Sequence, residues 1–266
     1  MEGHRHTVSS ADGTRIGLLT AGQGPALLLV HGGMGRIERW TPMWGRLTEH
    51  WRVTAMDRRG RGSSGDCQPY APAREYDDIA AVAASLAEGA DGSVDVFAHS
   101  IGATYTLGAV ARGAPLRRLA LYEPPGPQTN TPQWRERVTS LVAAGRPGPA
   151  MVSFLTEVVG LSREKVEELK KNAPGGYDVL PIVSATMPRE AQALASIDLT
   201  ALAVGVTAPV LLVVGAFSPP WAHDLTAALH DALADATVAT LPGSGHDGLD
   251  TEPDLLCRLL LQFFRR

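Results

Sequence analysis

The run Val94-Asp95-Val96-Phe97-Ala98-His99-Ser100-Ile101-Gly102-Ala103 is a short apolar stretch that ends on a serine. A glycine follows two residues later, then small residues that can open a helix. Small-x-Ser-x-Gly between a strand and a helix is the pattern of a nucleophile elbow. In that turn a strained backbone pushes the hydroxyl out at the C-terminal edge of a sheet. The small Ala98 and Gly102 let strand and helix approach closely, and the helix N-terminus beside Ser100 favours developing negative charge. A serine hydroxyl is a weak nucleophile near neutral pH and needs a base. His246 is the candidate, in the Gly-rich loop Leu241-Pro242-Gly243-Ser244-Gly245-His246, where an imidazole can swing over the elbow. His99 adjoins Ser100, but a tight turn aims its ring elsewhere, so it is assigned to packing or a pocket wall. His31 is expected to tie loops together by hydrogen bonds, and His223 and His230 to lie on a surface helix.

The elements that position these residues follow from the hydrophobic periodicity. Residues 4–9 and 14–20 flank Asp12-Gly13 and are expected to pair as an antiparallel hairpin. Ala26-Leu27-Leu28-Leu29-Val30 has the continuous apolar character of a strand buried on both faces. Helices are expected over 39–50, 74–89 and 101–112, and strands over 51–57, 93–98 and 116–121. A final block repeats the alternation. It comprises a strand at 209–215, a helical stripe of Trp221, Leu225, Leu229 and Leu233, a strand at 236–241, and a last amphipathic helix. Thr251 and Asp254 resemble a capping box opening that last helix. Such alternation implies a parallel α/β sheet covered by helices on both faces. Residues 126–205 break the rhythm, with several helix candidates and no buried strand. Ser162 is expected to cap one helix, with Leu161 and Val166 as its staple and the charged run 163–171 as its solvated face.

Four motifs in order resemble the α/β-hydrolase superfamily, in particular its capped serine hydrolase and esterase-like members. They are His31-Gly32-Gly33, Asp57-Arg58-Arg59-Gly60-Arg61-Gly62-Ser63-Ser64, the elbow (with Ala98 in place of the usual first glycine) and the loop ending in His246. The resemblance covers nearly the whole chain. It implies a mostly parallel eight-stranded sheet flanked by helices, with a helical cap inserted after the sixth strand. The core domain is then 1–125 with 206–266, and the cap is 126–205. The implied activity is that of a serine hydrolase cleaving a small-molecule ester, lactone or thioester through an acyl-enzyme on Ser100, without cofactor or metal. The backbone N–H groups of Ile101 and Gly33 are the implied oxyanion donors. Met34 is expected to contribute its side chain to the pocket, together with His99, Trp134, Phe154 and Tyr177.

One position departs from the family pattern. Where the acid most often follows the seventh strand, this chain has Ser218, which cannot stabilise an imidazolium as a carboxylate does and is expected to contribute little. Some members of the superfamily, haloalkane dehalogenases among them, carry the acid after the sixth strand. Glu123, at the tip of Leu119-Ala120-Leu121-Tyr122-Glu123, occupies that place. The alternatives are a purely structural Glu123 bonded to loop amides, with Asp224 or Asp247 in its stead.

Composition bounds the remaining function classes. The 266 residues suffice for a sizeable core, and a net charge of −4 gives no reason to expect nucleic acid or an anionic membrane as partner. Cys67 and Cys257 form neither a disulfide framework nor a metal-ligand spacing. The polar N-terminus lacks the apolar core of a signal peptide, so a cytoplasmic protein acting on a small molecule is expected. Two other readings use the same residues: a cyclase or lyase of specialised metabolism working without acylation, and a ligand-binding protein without catalysis. Epoxide hydrolase and dehalogenase chemistry need a carboxylate where Ser100 stands.

Overall fold

The structure, a computed structural model, describes residues 1–90, 92–172 and 179–265. Eight strands form one sheet: β1 (His4–Ser9), β2 (Arg15–Ala21), β3 (Ala26–Val30), β4 (Arg52–Met56), β5 (Val94–His99), β6 (Leu116–Tyr122), β7 (Val210–Gly215) and β8 (Ala236–Leu241). Their spatial order is β1-β2-β4-β3-β5-β6-β7-β8. β1 and β2 pair antiparallel, and β2 joins β4 antiparallel; the pairings from β4 through β8 are parallel. The hairpin turn forms at Asp12-Gly13 as expected: Gly13 has φ +82°, and Asp12 Oδ1 accepts the Thr14 N–H at 2.9 Å. The central strands β3, β5 and β7 are buried at every residue, whereas the edge strands β1 and β8 alternate with exposed positions.

The helices follow in chain order: α1 (Thr41–Thr48), α2 (Pro72–Glu88), α3 (Ile101–Val110), α4 (Pro132–Ala143), α5 (Pro147–Ser153), α6 (Arg163–Asn172), α7 (Leu180–Leu194), α8 (Leu199–Val204), α9 (Pro220–Ala232), α10 (Gly248–Thr251) and α11 (Pro253–Phe264). The pleat sends alternate strand residues to two separate cores. Leu28 and Val30 pack with Ile79 and Val82 of α2, Tyr105 of α3 and Leu229 of α9. Leu27 and Leu29 pack on the other face with Met43 and Leu47 of α1 and Leu256 and Leu260 of α11. Each such side chain contributes about 1.5–3 kcal/mol by leaving water. The expected capping box at Thr251 and Asp254 does not form. Thr251 closes α10 and bonds the Ser244 hydroxyl at 2.9 Å, while α11 starts afresh on Pro253, so the hydroxyl is already committed.

Between β6 and β7 the chain leaves the sheet. In this stretch α4, α5 and α7 share their own apolar cluster around Trp134, Val138, Met151 and Val183. One π-helical turn, Phe154–Val158, follows α5. The Ser162 hydroxyl accepts the Lys165 N–H at 3.2 Å, capping α6 as expected. Leu199 and Ala203 of α8 instead join the core cluster of α2, α3 and α9. Among the described residues no helix is long and apolar enough to cross a membrane.

Candidate active site

Ser100 sits between β5 and α3 with φ +55°, in the left-handed region that non-glycine residues rarely adopt. Its N–H donates to Tyr122 O of the neighbouring β6 at 2.8 Å, and its carbonyl accepts the Ala103 N–H at 2.8 Å. The closeness of the elbow explains its glycines. A Cβ on Gly102 would lie 2.4 Å from His31 O, and one on Gly32 would lie 2.9 Å from Ser100 Cβ. Gly102 therefore seats the helix against the loop that follows β3.

That loop is held by buried donors. Gly32 O accepts from His31 Nδ1 at 2.8 Å, Gly35 N–H at 3.2 Å and Arg58 Nη1 at 3.3 Å. This carbonyl and the Gly33 N–H belong to one peptide plane, so three donors fix where that N–H points. The His31 tautomer follows. Arg58 N–H donates to Nε2 at 3.1 Å, so Nδ1 carries the proton. Burial, then the charges of Arg58 and Arg61, hold the His31 imidazole well below its ordinary range, and it stays neutral. Arg61 clasps the next carbonyl, Gly33 O, through Nη2 at 2.8 Å and Nε at 3.2 Å. His31 thus ties loops together, as expected.

Glu123 stands at the tip of β6 with φ +48°, fully buried. Its Oε2 lies 2.6 Å from His246 Nδ1. Its Oε1 accepts the Gly215 N–H at 2.7 Å and the Ser218 hydroxyl. One oxygen thus accepts a backbone amide at the end of β7 and the other meets the histidine. Ser218 is less passive than expected, because at the end of β7 its hydroxyl is spent on the carboxylate. Burial pushes the Glu123 carboxyl up. The hydrogen bond and charge of His246, with the Gly215 and Ser218 donors, outweigh it and bring the group below the usual carboxylate range. Asp224 is exposed, and Asp247 only receives the nearby Gly245 N–H at 3.3 Å.

The loop bearing His246 is fixed from beneath. The Tyr122 hydroxyl donates to Gly245 O and accepts the Gly248 N–H at 3.2 Å. His99 Nε2 donates to His246 O at 3.2 Å, and the two rings lie 4.6 Å apart. Burial, then the His246 charge, keeps His99 well below its ordinary range. A neutral ring with its Nε2 proton committed to a carbonyl positions its neighbour, which agrees with the packing role assigned to it.

Two cavities meet at Ser100 and His246, sharing Gly33, Met34 and Phe154. The inner one, about 50 Å³, runs under Trp134, Met187 and Trp221 and contains Ile101 and Glu190 in its wall. The outer one, about 400 Å³, includes His99, Arg39 and Lys170. The structure so brings Met34, Trp134, Phe154 and His99 to the site; Tyr177 lies outside the described residues. Sequence reasoning missed Glu190, Trp221 and the paired arginines. A signal existed for Glu190. It falls on the apolar face of α7 in register with Ile182, Val183, Thr186, Met187 and Leu194.

A protein-family model described as "Alpha/beta hydrolase family" matches residues 27–259. The chain belongs to the alpha/beta hydrolase family. A solved alpha/beta hydrolase from Sphaerobacter thermophilus is similar to this hydrolase with a TM-score of 0.83 and 35% identity, covering 97% of this chain and 100% of the other. A 2-(acetamidomethylene)succinate hydrolase from Mesorhizobium japonicum is 26% identical over 91% of this chain and 88% of its own. An N-formylmaleamate deformylase from Pseudomonas putida is 40% identical over 120 residues, 44% of each chain. The enol-lactonase from Burkholderia xenovorans shares the fold, with a TM-score of 0.81 at 17% identity over 98% of this hydrolase and 100% of that chain.

Proposed function

We propose that this alpha/beta hydrolase cleaves a small-molecule ester, lactone or thioester through an acyl-enzyme on Ser100. The observation that carries the proposal is the 2.6 Å contact between Glu123 Oε2 and His246 Nδ1, beside a serine held in the strained elbow and facing the same cavities. In this reading Glu123 holds the Nδ1 proton of His246, leaving Nε2 free to take the proton from Ser100 Oγ. Oγ attacks the substrate carbonyl. The resulting oxyanion is met by the N–H groups of Gly33 and Ile101, each worth about 3 kcal/mol of barrier. The intermediate collapses, and His246 returns its proton to the leaving group. Water, deprotonated by His246, then attacks the acyl-enzyme, and Ser100 departs with the proton. The stretch 126–205 acts as a cap whose Trp134 and Phe154 select the acyl group.

The same machinery acting on an amide-type bond is the second reading, favoured by the similarity to an N-formylmaleamate deformylase and a 2-(acetamidomethylene)succinate hydrolase. Labelling with a fluorophosphonate tests the shared core of both. Mass spectrometry should find one adduct, on the peptide containing Ser100. Active protein that stays unlabelled, or that is labelled on another serine, overturns the acyl-enzyme and favours a cyclase or lyase using the pocket without acylation. Matched ester and amide substrates then separate the two readings by relative kcat/KM.

A further inference from the structure

The inner cavity is mostly apolar, with Ser100, Thr129, Asn130, Thr186 and His246 among its lining, and a carboxylate also stands in its wall. Glu190 comes from α7, in the stretch between β6 and β7, and is 4% exposed. Its Oε1 receives Arg61 Nη2 at 2.7 Å and the Arg58 guanidinium. Its Oε2 lies 3.5 Å from where a Cβ of Gly33 would stand, beside the proposed oxyanion donor. Arg58 is also held by Glu75, at 2.7 and 3.1 Å. The cluster therefore contains two guanidinium groups and two carboxylates, and its charges cancel. Burial raises the Glu190 carboxyl, but Arg58 and Arg61 draw it below the usual range, so it is ionised at neutral pH. Among the described residues Glu190 and His246 are the ionisable side chains in the inner wall; neither arginine reaches it.

We infer that Glu190 sets the charge of the substrate: it closes the inner cavity to anionic acyl groups by standing between them and the Arg58/Arg61 pair, so the acyl group seated there carries no negative charge. The inference rests on the serine-hydrolase reading and narrows its substrate class. A carboxylate placed beside Glu190 meets a like charge across a narrow, mostly apolar cavity. At about 6 Å and a protein-like dielectric an unpaired charge would cost roughly 100-fold in kcat/KM; the guanidinium groups behind Glu190 offset part of this and leave about tenfold. Neutralising Glu190 leaves one uncompensated positive charge behind the wall, and the same site then favours an anion.

Ethyl succinamate and monoethyl succinate are nearly isosteric and differ by one charge on the acyl group; ethyl 4-aminobutyrate supplies the cation. Wild-type protein in a pH-stat should prefer the succinamate over the succinate by about tenfold. Glu190→Gln, checked for folding by circular dichroism, should abolish or reverse that preference. Equal wild-type rates on the neutral and anionic esters overturn the inference, and this measurement needs no variant. An unchanged ratio in folded Glu190→Gln overturns it too, and so does a cationic ester rejected as strongly as the anionic one, which would mark a general cost of burying charge. Failure of the serine-hydrolase reading shows separately, as a missing phosphonate adduct on Ser100.

Discussion

Replacing Glu123 by glutamine preserves shape while removing the charge, and the surrounding donors dictate how the amide must sit. Gly215 N–H is a fixed backbone donor 2.7 Å from Oε1, so the glutamine carbonyl must face it. The NH₂ group then faces His246 Nδ1, which becomes an acceptor. The ring proton is forced to Nε2, the atom that should receive the proton of Ser100. The opposite orientation sets NH₂ against the Gly215 N–H, a donor meeting a donor in a buried site. Both orientations impair the base, so a loss approaching 10⁴-fold in kcat is expected, the order seen for the equivalent change in a serine protease triad. The assay is ester hydrolysis at neutral pH, with the ring tautomer read from imidazole nitrogen NMR shifts. Stability has a sign of its own. The native Glu123 carboxyl lies below the ordinary range, so its ionised form stabilises the fold above the unfolded value of about 4.3. That contribution is lost as pH falls through the lower native value. The wild-type advantage over Glu123→Gln in urea unfolding should therefore hold from neutral pH down to about 5 and shrink below about 4. A folded Glu123→Gln protein within tenfold of wild-type kcat would refute the assignment.

Four further outcomes are expected. Ser218→Ala removes one donor to a buried carboxylate, which should lower unfolding free energy by up to about 1.5–3 kcal/mol while costing less than about tenfold in kcat, since Gly215 remains. Arg58→Met leaves Glu75 and Glu190 facing a lost cation, and urea titration should find a destabilisation of about 3–5 kcal/mol. Burial pushes the Cys257 thiol up to about 11, so a thiol reagent should modify the half-buried Cys67 in native protein and reach Cys257 only after unfolding. Trp134→Ala and Phe154→Ala should each reorder kcat/KM across a series of acyl groups; an unchanged order in both removes them from the substrate pocket.

The sheet was legible because its strands are short apolar runs punctuated by glycine and proline, a signal that survives without tertiary information. Ser100 and His246 were legible because each sits in a loop of special backbone chemistry. Glu123 needed an argument by position, since nothing local marks a glutamate at a strand tip as meeting a histidine 123 residues away. The bond from Ser218 was invisible for the same reason: it joins the ends of β6 and β7, which only the sheet brings together. The capping box at Thr251 failed because a competing tertiary partner, Ser244, claimed the hydroxyl. Glu190 left a trace as a charge on an apolar helix face, but only the fold reveals that two arginines of a distant loop wait opposite it.

Ser100 and Glu123 are the two non-glycine residues with positive φ among the described residues, and both face His246 from neighbouring strand ends. Each such conformation costs roughly 1–3 kcal/mol and persists only because its surroundings impose it. Glycine or asparagine at either position would relax the backbone and, in the reading above, abolish the chemistry. Selection for stability alone would therefore erode the two positions together. A descendant of this chain freed from its reaction should drift to a firmer, inert fold through these sites first, whereas thermostabilised variants that stay active must find their gains elsewhere.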